Sequence, residues 1–408
     1  MNNIFQKLMT EATKLTRSGQ LQAATDAIQR ALRGATEAAQ TAASKTSSAF
    51  EYSTSAKPDA AARTAPRDNA SVVLDGYTRM VDTPAAAPAE AEAEDKAEPD
   101  VAYVGPDLDT QAVPEQWTDG SFTHQGRTLA YKLYVPPSPA GAAVTPRPLV
   151  LMLHGCTQDP ADFAAGTQMN TLARELGVVV LYPAQTQHAN AQRCWNWFKP
   201  QHQQRGRGEP ALLVALTESV IGENHVDPAR VYVAGLSAGG AMADILGRCY
   251  PDVFAGVGVH SGLPSGAATD VMGALSVMRS GAGAAPQANT SSGTAPMPPL
   301  IVFHGDADTT VNPRNGDAVV DAALGGSPST ARIAEGSSVA GQRFTRTVYP
   351  TAPGRNAVEH WRLHGGSHAW SGGSAQGSFT QPKGADASAE MLRFFLAHPL
   401  RHEAVSVQ

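Results

Sequence analysis

The sequence predicts an α/β fold built on a doubly wound, mostly parallel sheet, and two patterns lead to this prediction. Short apolar runs that are largely β-branched recur along the chain, as expected for strands buried on both faces of a sheet. These runs are 149–153, 178–182, 231–234, 255–259 and 300–303. Helical periodicity occupies the stretches near 161–176, 211–225 and 238–249. Alternation of strands and helices is typical of parallel sheets covered by helices on both faces.

The composition limits the functional classes. The chain has 408 residues, of which 42% are hydrophobic, so it can bury a large core. Its formal net charge of −6 and the lack of a concentrated basic block argue against electrostatic capture of nucleic acid. The three cysteines, Cys156, Cys194 and Cys249, argue against a disulfide scaffold but allow one bridge.

The first 34 residues have the pattern of an amphipathic helical hairpin. Apolar residues recur at helical spacing before and after a break at Ser18-Gly19-Gln20. We expect residues 1–34 to pack on the main domain or on a second copy, and the alternative is an element that adheres to an apolar surface. No signal cleavage pattern and no apolar run of transmembrane length is visible, so we expect a cytoplasmic protein rather than an extracellular one.

The rest of the chain divides into a linker, a main domain and a short tail. Residues 35–114 are rich in Ala, Thr, Ser, Pro and Glu, a composition that predicts a disordered low-complexity linker. The main domain is predicted over 115–400, with a half-buried strand at 129–135 and a closing amphipathic helix at 385–397. Residues 401–408 form the tail.

The strongest local signal is the segment Gly235-Leu236-Ser237-Ala238-Gly239, which follows the strand at 231–234. It is a G-x-S-x-G nucleophile elbow in the strand–turn–helix setting that this motif requires. The strained turn points the Ser237 hydroxyl out of the sheet, and the flanking glycines let neighbouring backbone approach closely. The alternative is a Gly-rich turn with an incidental serine. We predict that Ser237 is a nucleophile.

A serine hydroxyl needs a base, and His368 is the predicted base. It lies in the segment Gly365-Gly366-Ser367-His368, a Gly-rich loop that follows an apolar-alternating strand. His364 is the competing candidate, but it stands at the strand end, where a structural role is more common.

The acid that orients the histidine is predicted to be Asp308. The strand at 300–303 leads into His304-Gly305-Asp306-Ala307-Asp308, where Asp308 has the position typical of the acid in an H-G-x-x-D turn. Asp306 is the alternative and could instead cap the turn. The chain order serine, aspartate, histidine is that of α/β-hydrolases, which refines the predicted fold to this class.

An oxyanion hole needs main-chain donors, and two are predicted. One is the N–H of Ala238, directly after the nucleophile, and the other is the N–H of Cys156 in the loop His154-Gly155-Cys156-Thr157-Gln158. Cys156 and Cys194 both fall in loops expected at the C-terminal edge of the sheet. They could therefore form a bridge, although thiols are more common in a reducing cytoplasm.

Two tryptophans are candidates for substrate contact. Trp197, in the segment Cys194-Trp195-Asn196-Trp197-Phe198, and Trp370, two residues after His368, could line an acyl or polymer cleft, while ordinary packing is the alternative. No Cys/His spacing resembles a zinc site, and no Gly-rich loop carries the lysine of a P-loop. We therefore expect neither a metal nor an organic cofactor.

From about residue 115 to 398 the sequence resembles the polyhydroxybutyrate depolymerase-type esterases, a branch of the α/β-hydrolases that includes feruloyl and acetyl-xylan esterases. The resemblance is carried by the segments 154–158, 194–198, 235–240 and 366–370 together with the turn at Asp308. It implies triad roles for Ser237, Asp308 and His368. The implied substrate is an ester of a short 3-hydroxy acid, often polymeric.

The sequence departs from the secreted members that it resembles. It shows no signal peptide, nothing of domain size follows residue 400, and the appendage is N-terminal. It therefore looks like an intracellular form that acts on stored polymer granules, with residues 1–34 as a granule-docking element.

These sequence features leave three hypotheses for the function. The leading hypothesis is hydrolysis of short-chain polyhydroxyalkanoate (poly-3-hydroxybutyrate) or its oligomers through an acyl-enzyme on Ser237. The first alternative is a feruloyl- or acetyl-type carboxylesterase. The second alternative, of another class, is a non-catalytic granule-associated binding protein.

Overall fold

The computed structural model describes residues 112–139, 145–283, 297–325, 330–350 and 357–400. The predictions for the hairpin at 1–34, for residues 35–111 of the linker and for the tail at 401–408 lie outside these residues. The first strand begins at Gln116.

Strands and helices alternate through the described part of the chain. The strands are β1 (Gln116–His124), β2 (Arg127–Val135), β3 (Arg147–Leu153), β4 (Val179–Ala184), β5 (Val226–Leu236), β6 (Gly256–His260), β7 (Leu300–Gly305), β8 (Arg332–Ser337), β9 (Arg343–Tyr349), β10 (Val358–Leu363), β11 (Trp370–Ser371) and β12 (Thr380–Gln381). The α-helices are α1 (Pro160–Thr167), α2 (Met169–Leu176), α3 (Gly208–Glu223), α4 (Ala238–Cys249), α5 (Val271–Ser280), α6 (Arg314–Leu324) and α7 (Ala387–Leu396). A short 3₁₀ helix covers Pro200–His202.

Ten of these strands form one sheet in the order β1-β2-β4-β3-β5-β6-β7-β10-β9-β8. The six central strands, from β4 to β10 in this order, pair in parallel. Antiparallel strands flank them on both sides. The predicted doubly wound, mostly parallel sheet of the α/β-hydrolase class is therefore confirmed. Because parallel strands end at the same edge, the loops after β3, β5, β7 and β10 lie along one side of the sheet.

Both faces of the sheet are buried by helices. In β3, Leu149, Leu151 and Leu153 join one core cluster, while Val150 and Met152 join the other. Helices α3, α4, α5 and α6 contribute to the first cluster, and α1, α2 and α7 contribute to the second. The β3 side chains from 149 to 153 are fully inaccessible to solvent. Burial on both faces explains why the strand sequence is continuously apolar instead of alternating.

The structure differs from the predicted elements at several places. The helical stretch near 161–176 is two helices, because Gln168 adopts a left-handed backbone conformation with φ of 56° that ends α1 and precedes α2. The edge strands β1 and β8, strand β9 beside β8, the short strands β11 and β12, and helices α5 and α6 were not predicted. Strand β8 is almost entirely exposed. Among the helices of the described residues, none is long and apolar enough to cross a membrane.

Candidate active site

Ser237 stands in a strained turn between β5 and α4. Its φ of 57° and ψ of −118° are rare for a residue with a side chain, and such conformations concentrate at functional sites. The Ser237 N–H donates to the carbonyl of His260 at 2.9 Å, and the N–H of Ala241 donates to the Ser237 carbonyl at 2.9 Å. The turn therefore has the backbone conformation and the strand–turn–helix setting that the nucleophile motif requires.

Gly235 and Gly239 let this turn pack against the end of β3. A Cβ atom on Gly239 would overlap the carbonyl oxygen of Leu153, and a Cβ atom on Gly235 would overlap the backbone of Gly239. The chain continues from Leu153 directly into the predicted oxyanion loop. The close packing therefore places the start of that loop beside the turn of Ser237.

Asp308 and His368 are joined by a hydrogen bond of 2.7 Å from His368 Nδ1 to Asp308 Oδ2. The two residues follow β7 and β10, which are parallel neighbours, so their loops meet at the same edge of the sheet. The Asp308 side chain is fully buried, and the His368 side chain is 11% exposed. Because a carboxylate can only accept, Nδ1 carries the proton and Nε2 remains an acceptor, as a general base requires.

The Asp308 carboxylate has further donors. Its Oδ1 accepts the N–H groups of Thr310 and Val311 at 2.8 Å each, and His304 Nε2 lies 3.4 Å from Oδ2. Burial works to raise the pKa of this carboxyl, but the hydrogen bonds from His304 and His368 outweigh burial and hold the pKa of Asp308 well below its usual range. The carboxylate therefore stays ionised at neutral pH. His304 was not among the predicted site residues, although this histidine opens the same H-G-x-x-D turn as Asp308.

His260 connects the serine turn with the histidine loop. Its carbonyl accepts the N–H of Ser237, and its Nε2 accepts the N–H of Ser371, three residues after His368, at 2.9 Å. The imidazole also stacks on Trp370 with ring centroids 5.1 Å apart. Burial lowers the pKa of His260 to about 3, so the ring stays neutral and Nε2 can keep accepting. His260 was not among the predicted site residues, because it is the last residue of β6, one position beyond the predicted apolar run 255–259.

The link between serine and histidine is not closed in the structure. Among the hydrogen bonds of the described residues, none joins Ser237 Oγ to His368 Nε2. Catalytic hydrogen bonds often form fully only when substrate is bound. The structure thus brings the predicted acid and base together, and contact between the predicted base and nucleophile stays a prediction.

Asp306 and His364, the two competing candidates, pair with each other. His364 Nδ1 lies 2.9 Å from Asp306 Oδ2, and the N–H of Gly365 donates to Asp306 Oδ1 at 2.7 Å. His364 Nε2 lies 2.8 Å from Thr345 Oγ1 on β9. This second Asp–His pair therefore ties the ends of β7, β9 and β10 together, which is the structural role expected of a strand-end histidine.

The predicted oxyanion donors lie on two anchored segments. Cys156 forms a disulfide with Cys194, which ties the oxyanion loop to the segment that carries Trp195 and Trp197. Ala238 is the first residue of α4 and is buried. Among the described residues, neither the Cys156 N–H nor the Ala238 N–H has a hydrogen-bond acceptor. Both donors remain available to an oxygen atom of a bound molecule.

Trp197 and Trp370, the two predicted substrate contacts, are both buried. Trp370 is fully buried, packs edge-on against Phe163 with ring centroids 5.5 Å apart, and donates its indole N–H to Ser388 Oγ. Trp197 is only 4% exposed and packs edge-on against Phe198. Both rings are packed against other side chains, and substrate contact by either tryptophan stays a prediction. Sequence spacing placed them near the site but carried no information on which way each ring points.

The described residues contain no group of three or more His, Cys, Asp or Glu side chains arranged to hold a metal ion. A cleft of about 470 Å³ lies between β1, β2, α1 and α2, where Trp117, Gln168 and Arg174 are among its lining residues. No predicted site residue lines this cleft. We therefore place the candidate site after the C-terminal ends of β5, β7 and β10, where Ser237, Asp308 and His368 lie, and not in the cleft.

Comparison with known proteins shows similarity to depolymerases and esterases. The sequence model of a family described as Esterase PHB depolymerase matches residues 129–343, a range that includes Ser237 and Asp308 and ends before His368. Poly(3-hydroxyalkanoate) depolymerase C of Paucimonas lemoignei is 33% identical over 255 residues, covering 60% of this chain and 59% of that protein. Feruloyl esterase B of Thermothelomyces thermophilus is 29% identical over 180 residues, covering 41% of this chain and 61% of that protein.

Among solved structures, an acetyl xylan esterase from Aspergillus awamori superposes with a TM-score of 0.51 at 19% identity, covering 62% of this chain and 94% of that one. This likeness supports the fold. The chain spans about three fifths of the length of the two relatives that it matches in sequence.

Proposed function

The chain belongs to the Esterase PHB depolymerase family, and from that premise we propose that it is a serine esterase that hydrolyses short-chain polyhydroxyalkanoate, poly-3-hydroxybutyrate or its oligomers, through an acyl-enzyme. The observation that carries the proposal is the 2.7 Å hydrogen bond between His368 Nδ1 and the buried Asp308 carboxylate, at the sheet edge where Ser237 stands. The similarity to a poly(3-hydroxyalkanoate) depolymerase supports the substrate class.

The proposed mechanism uses these residues in two half-reactions. Ser237 Oγ attacks the ester carbonyl while His368 Nε2 takes the hydroxyl proton, and Asp308 stabilises the imidazolium that forms. The N–H groups of Cys156 and Ala238 donate to the negative oxygen of the tetrahedral intermediate. His368 then returns the proton to the leaving alcohol. Water, activated by the same imidazole, releases the acid from Ser237.

The proposal is tested by an activity panel on the purified protein. We expect turnover of amorphous poly-3-hydroxybutyrate and of p-nitrophenyl butyrate, and no turnover above background by the Ser237→Ala variant. Failure of the wild-type protein on every ester, with the fold intact, would contradict the proposal. Equal turnover by Ser237→Ala would contradict the assigned nucleophile.

A feruloyl- or acetyl-type carboxylesterase is the second candidate. The similarity to feruloyl esterase B favours it, because that relative is 29% identical over 180 residues, or 61% of its own length. Methyl ferulate and acetylated xylan in the same panel separate the candidates. Faster hydrolysis of these compounds than of the polyester would favour the second candidate.

A non-catalytic granule-binding protein is the alternative of another class. The ionised Asp308 beneath His368 argues against it, because a binding surface has no need of a buried, charged acid–base pair. A fluorophosphonate probe decides, since it labels only an activated serine. Labelling of Ser237 supports an enzyme, and absence of labelling on folded protein supports a binding role.

We also propose that the protein acts in the cytoplasm on storage granules, with residues 1–34 as the docking element. The helical periodicity of those residues supports this part. The Cys156–Cys194 disulfide weighs against it, because disulfides persist mainly in oxidising compartments. Cell fractionation, together with loss of granule binding after deletion of residues 1–34, tests both points.

A further inference from the structure

In the loop between β3 and α1, three of the four main-chain N–H groups from Gly155 to Gln158 have an acceptor. The N–H of Gly155 donates to Gln158 Oε1 at 2.9 Å, and the N–H of Thr157 donates to the Gln192 carbonyl at 2.6 Å. The N–H of Gln158 donates to the Gly155 carbonyl at 3.4 Å. Among the described residues, the Cys156 N–H alone of these four has no acceptor. Within the run from Gly155 to Gln158, the Cys156 N–H is therefore the donor left for an outside acceptor.

The direction of this free donor is set by the peptide group to which it belongs. The Cys156 N–H and the Gly155 carbonyl share one planar peptide group and point in opposite directions. His154 Nδ1 lies 2.7 Å from the Gly155 carbonyl oxygen, and the N–H of Gln158 holds the same oxygen. The side chain of Gln158 holds the preceding peptide group through the Gly155 N–H. Gln158 thus constrains both peptide groups that flank Gly155.

The Gln158 side chain is itself held in place from the other half of the site. It is 2% exposed, and its Nε2 donates to Asp162 Oδ2 at 3.0 Å and to the Ser378 carbonyl at 3.1 Å. The N–H of Ser378 in turn donates to Asp162 Oδ1 at 2.7 Å. Ser378 lies between β11 and β12, in the segment that follows His368. A single buried amide therefore joins the oxyanion loop to the segment beyond the catalytic histidine.

We infer that Gln158 is a positioning residue of the oxyanion hole, which fixes the Cys156 N–H toward the developing negative charge; this inference rests on the proposed esterase function. Gln158 does not touch substrate, and it acts through Gly155 and Cys156. An oxyanion donor stabilises the transition state and not the bound ester, so its misplacement slows turnover more than it weakens binding. A residue that served only to hold α1 against the β11–β12 segment would lack this signature.

The test compares three variants of the full chain. Gln158→Met keeps the unbranched shape of the side chain but removes the acceptor for the Gly155 N–H and the donor to Asp162. Asp162→Ala removes one of the acceptors of Gln158 Nε2 and leaves its bond to the Ser378 carbonyl and the Gly155 contact in place. Gln201→Met, at an exposed position of the 3₁₀ helix, controls for the chemical change itself. The measurements are kcat and KM for p-nitrophenyl butyrate, Tm, and the affinity for a trifluoromethyl ketone, which forms a charged tetrahedral adduct.

We expect Gln158→Met to lower kcat by about 10- to 100-fold, with KM changed by less than about threefold and with affinity for the ketone lowered in parallel with kcat. We expect Asp162→Ala to lower Tm but to lower kcat by less than about fivefold, and Gln201→Met to match the wild type. Folded Gln158→Met with wild-type kcat would overturn the inference. A loss of kcat in Gln158→Met with unchanged ketone affinity, or an equal loss in Asp162→Ala, would overturn it too by showing a purely structural joint.

The wild-type protein separates this inference from the proposed function. Wild-type turnover that Ser237→Ala abolishes supports the proposed function, whatever Gln158→Met does. An inert wild-type protein would contradict the proposed function and the inference together.

Discussion

Asp306 and Asp308 are separated by one residue, yet their carboxylates have different partners. The Asp308 carboxylate is buried and accepts a hydrogen bond from His368 Nδ1, whereas the Asp306 carboxylate is 38% exposed and contacts His364. The two aspartates therefore form a matched pair for a test of which carboxylate supports the base.

We expect Asp308→Asn to lower kcat by about 10³- to 10⁴-fold, because an amide neither stabilises the imidazolium nor selects the Nδ1–H tautomer. Asp306→Asn should lower kcat by less than about tenfold, since its remaining oxygen can still accept the N–H of Gly365. Steady-state kinetics with p-nitrophenyl butyrate, with Tm as the fold control, measures both. Equal losses, or a larger loss for Asp306→Asn, would contradict the assignment of Asp308 as the acid.

At this scale the sequence predicts chemistry better than it predicts burial. Ser237, Asp308 and His368 could be predicted because each stands in a short motif with a fixed relation to a strand end. His304, His260 and the pairing of Gln158 could not, because their roles depend on contacts between residues that are distant in the chain. The burial of Trp197 and Trp370 has the same origin, since side-chain direction in a loop has no sequence period.

At the scale of secondary-structure elements, the contact between β3, the serine turn and α4 determines the site. Two glycines permit this contact, and Gly239 is the more restricted of them because its Cα lies against the Leu153 carbonyl. Gly222, in the last turn of α3, has open space around the position of a Cβ atom. Gly239 and Gly222 therefore offer a matched pair of Gly→Ala substitutions inside helices.

We expect Gly239→Ala to lower the free energy of unfolding by about 1–3 kcal/mol, the usual cost of overpacking, and to reduce kcat because the oxyanion loop is displaced. Gly222→Ala should raise the free energy of unfolding by about 0.5–1 kcal/mol, because alanine favours the helix and meets no neighbour. Denaturant unfolding with parallel kinetics measures both. If Gly239→Ala were as stable and as active as the wild type, the close packing described here would be wrong.

Elements buried on both faces could be predicted from sequence, and elements at the sheet edges could not. The runs at 149–153 and 300–303 are continuously apolar, which identifies central strands. Strand β8 is polar and exposed, so its pairing with β9 leaves little trace in its composition. The division between α1 and α2 falls at Gln168, whose left-handed conformation is more usual for glycine or asparagine, which explains why one helix was predicted there.

At the scale of the whole molecule, buried histidines make stability depend on pH. Burial lowers the pKa of His154 to about 4 and that of His260 to about 3, from an ordinary value of 6.5, and burial also lowers the pKa of His360. As the pH falls below 6.5, the unfolded chain binds protons at these residues before the folded chain does. The free energy of unfolding therefore decreases from about pH 6.5 down towards pH 4.

We expect Tm to fall steadily between pH 7 and pH 4.5, with a smaller slope in the His360→Gln variant, which removes one of these histidines away from the catalytic loops. Each unit by which a pKa is lowered corresponds to about 1.4 kcal/mol. Differential scanning calorimetry across this range measures the slope. A Tm that stays constant over the same range would show that these histidines are not held neutral in the fold.

In the proposed mechanism Ser237 becomes acylated, with His368 as its base and Asp308 as the acid that orients the histidine. Rapid mixing with p-nitrophenyl butyrate followed by peptide mass spectrometry tests it most directly. We expect a butyryl group on Ser237 in quenched wild-type protein, no adduct in Ser237→Ala, and much slower acylation in His368→Ala. A butyryl group on another residue, or steady turnover by Ser237→Ala, would contradict it.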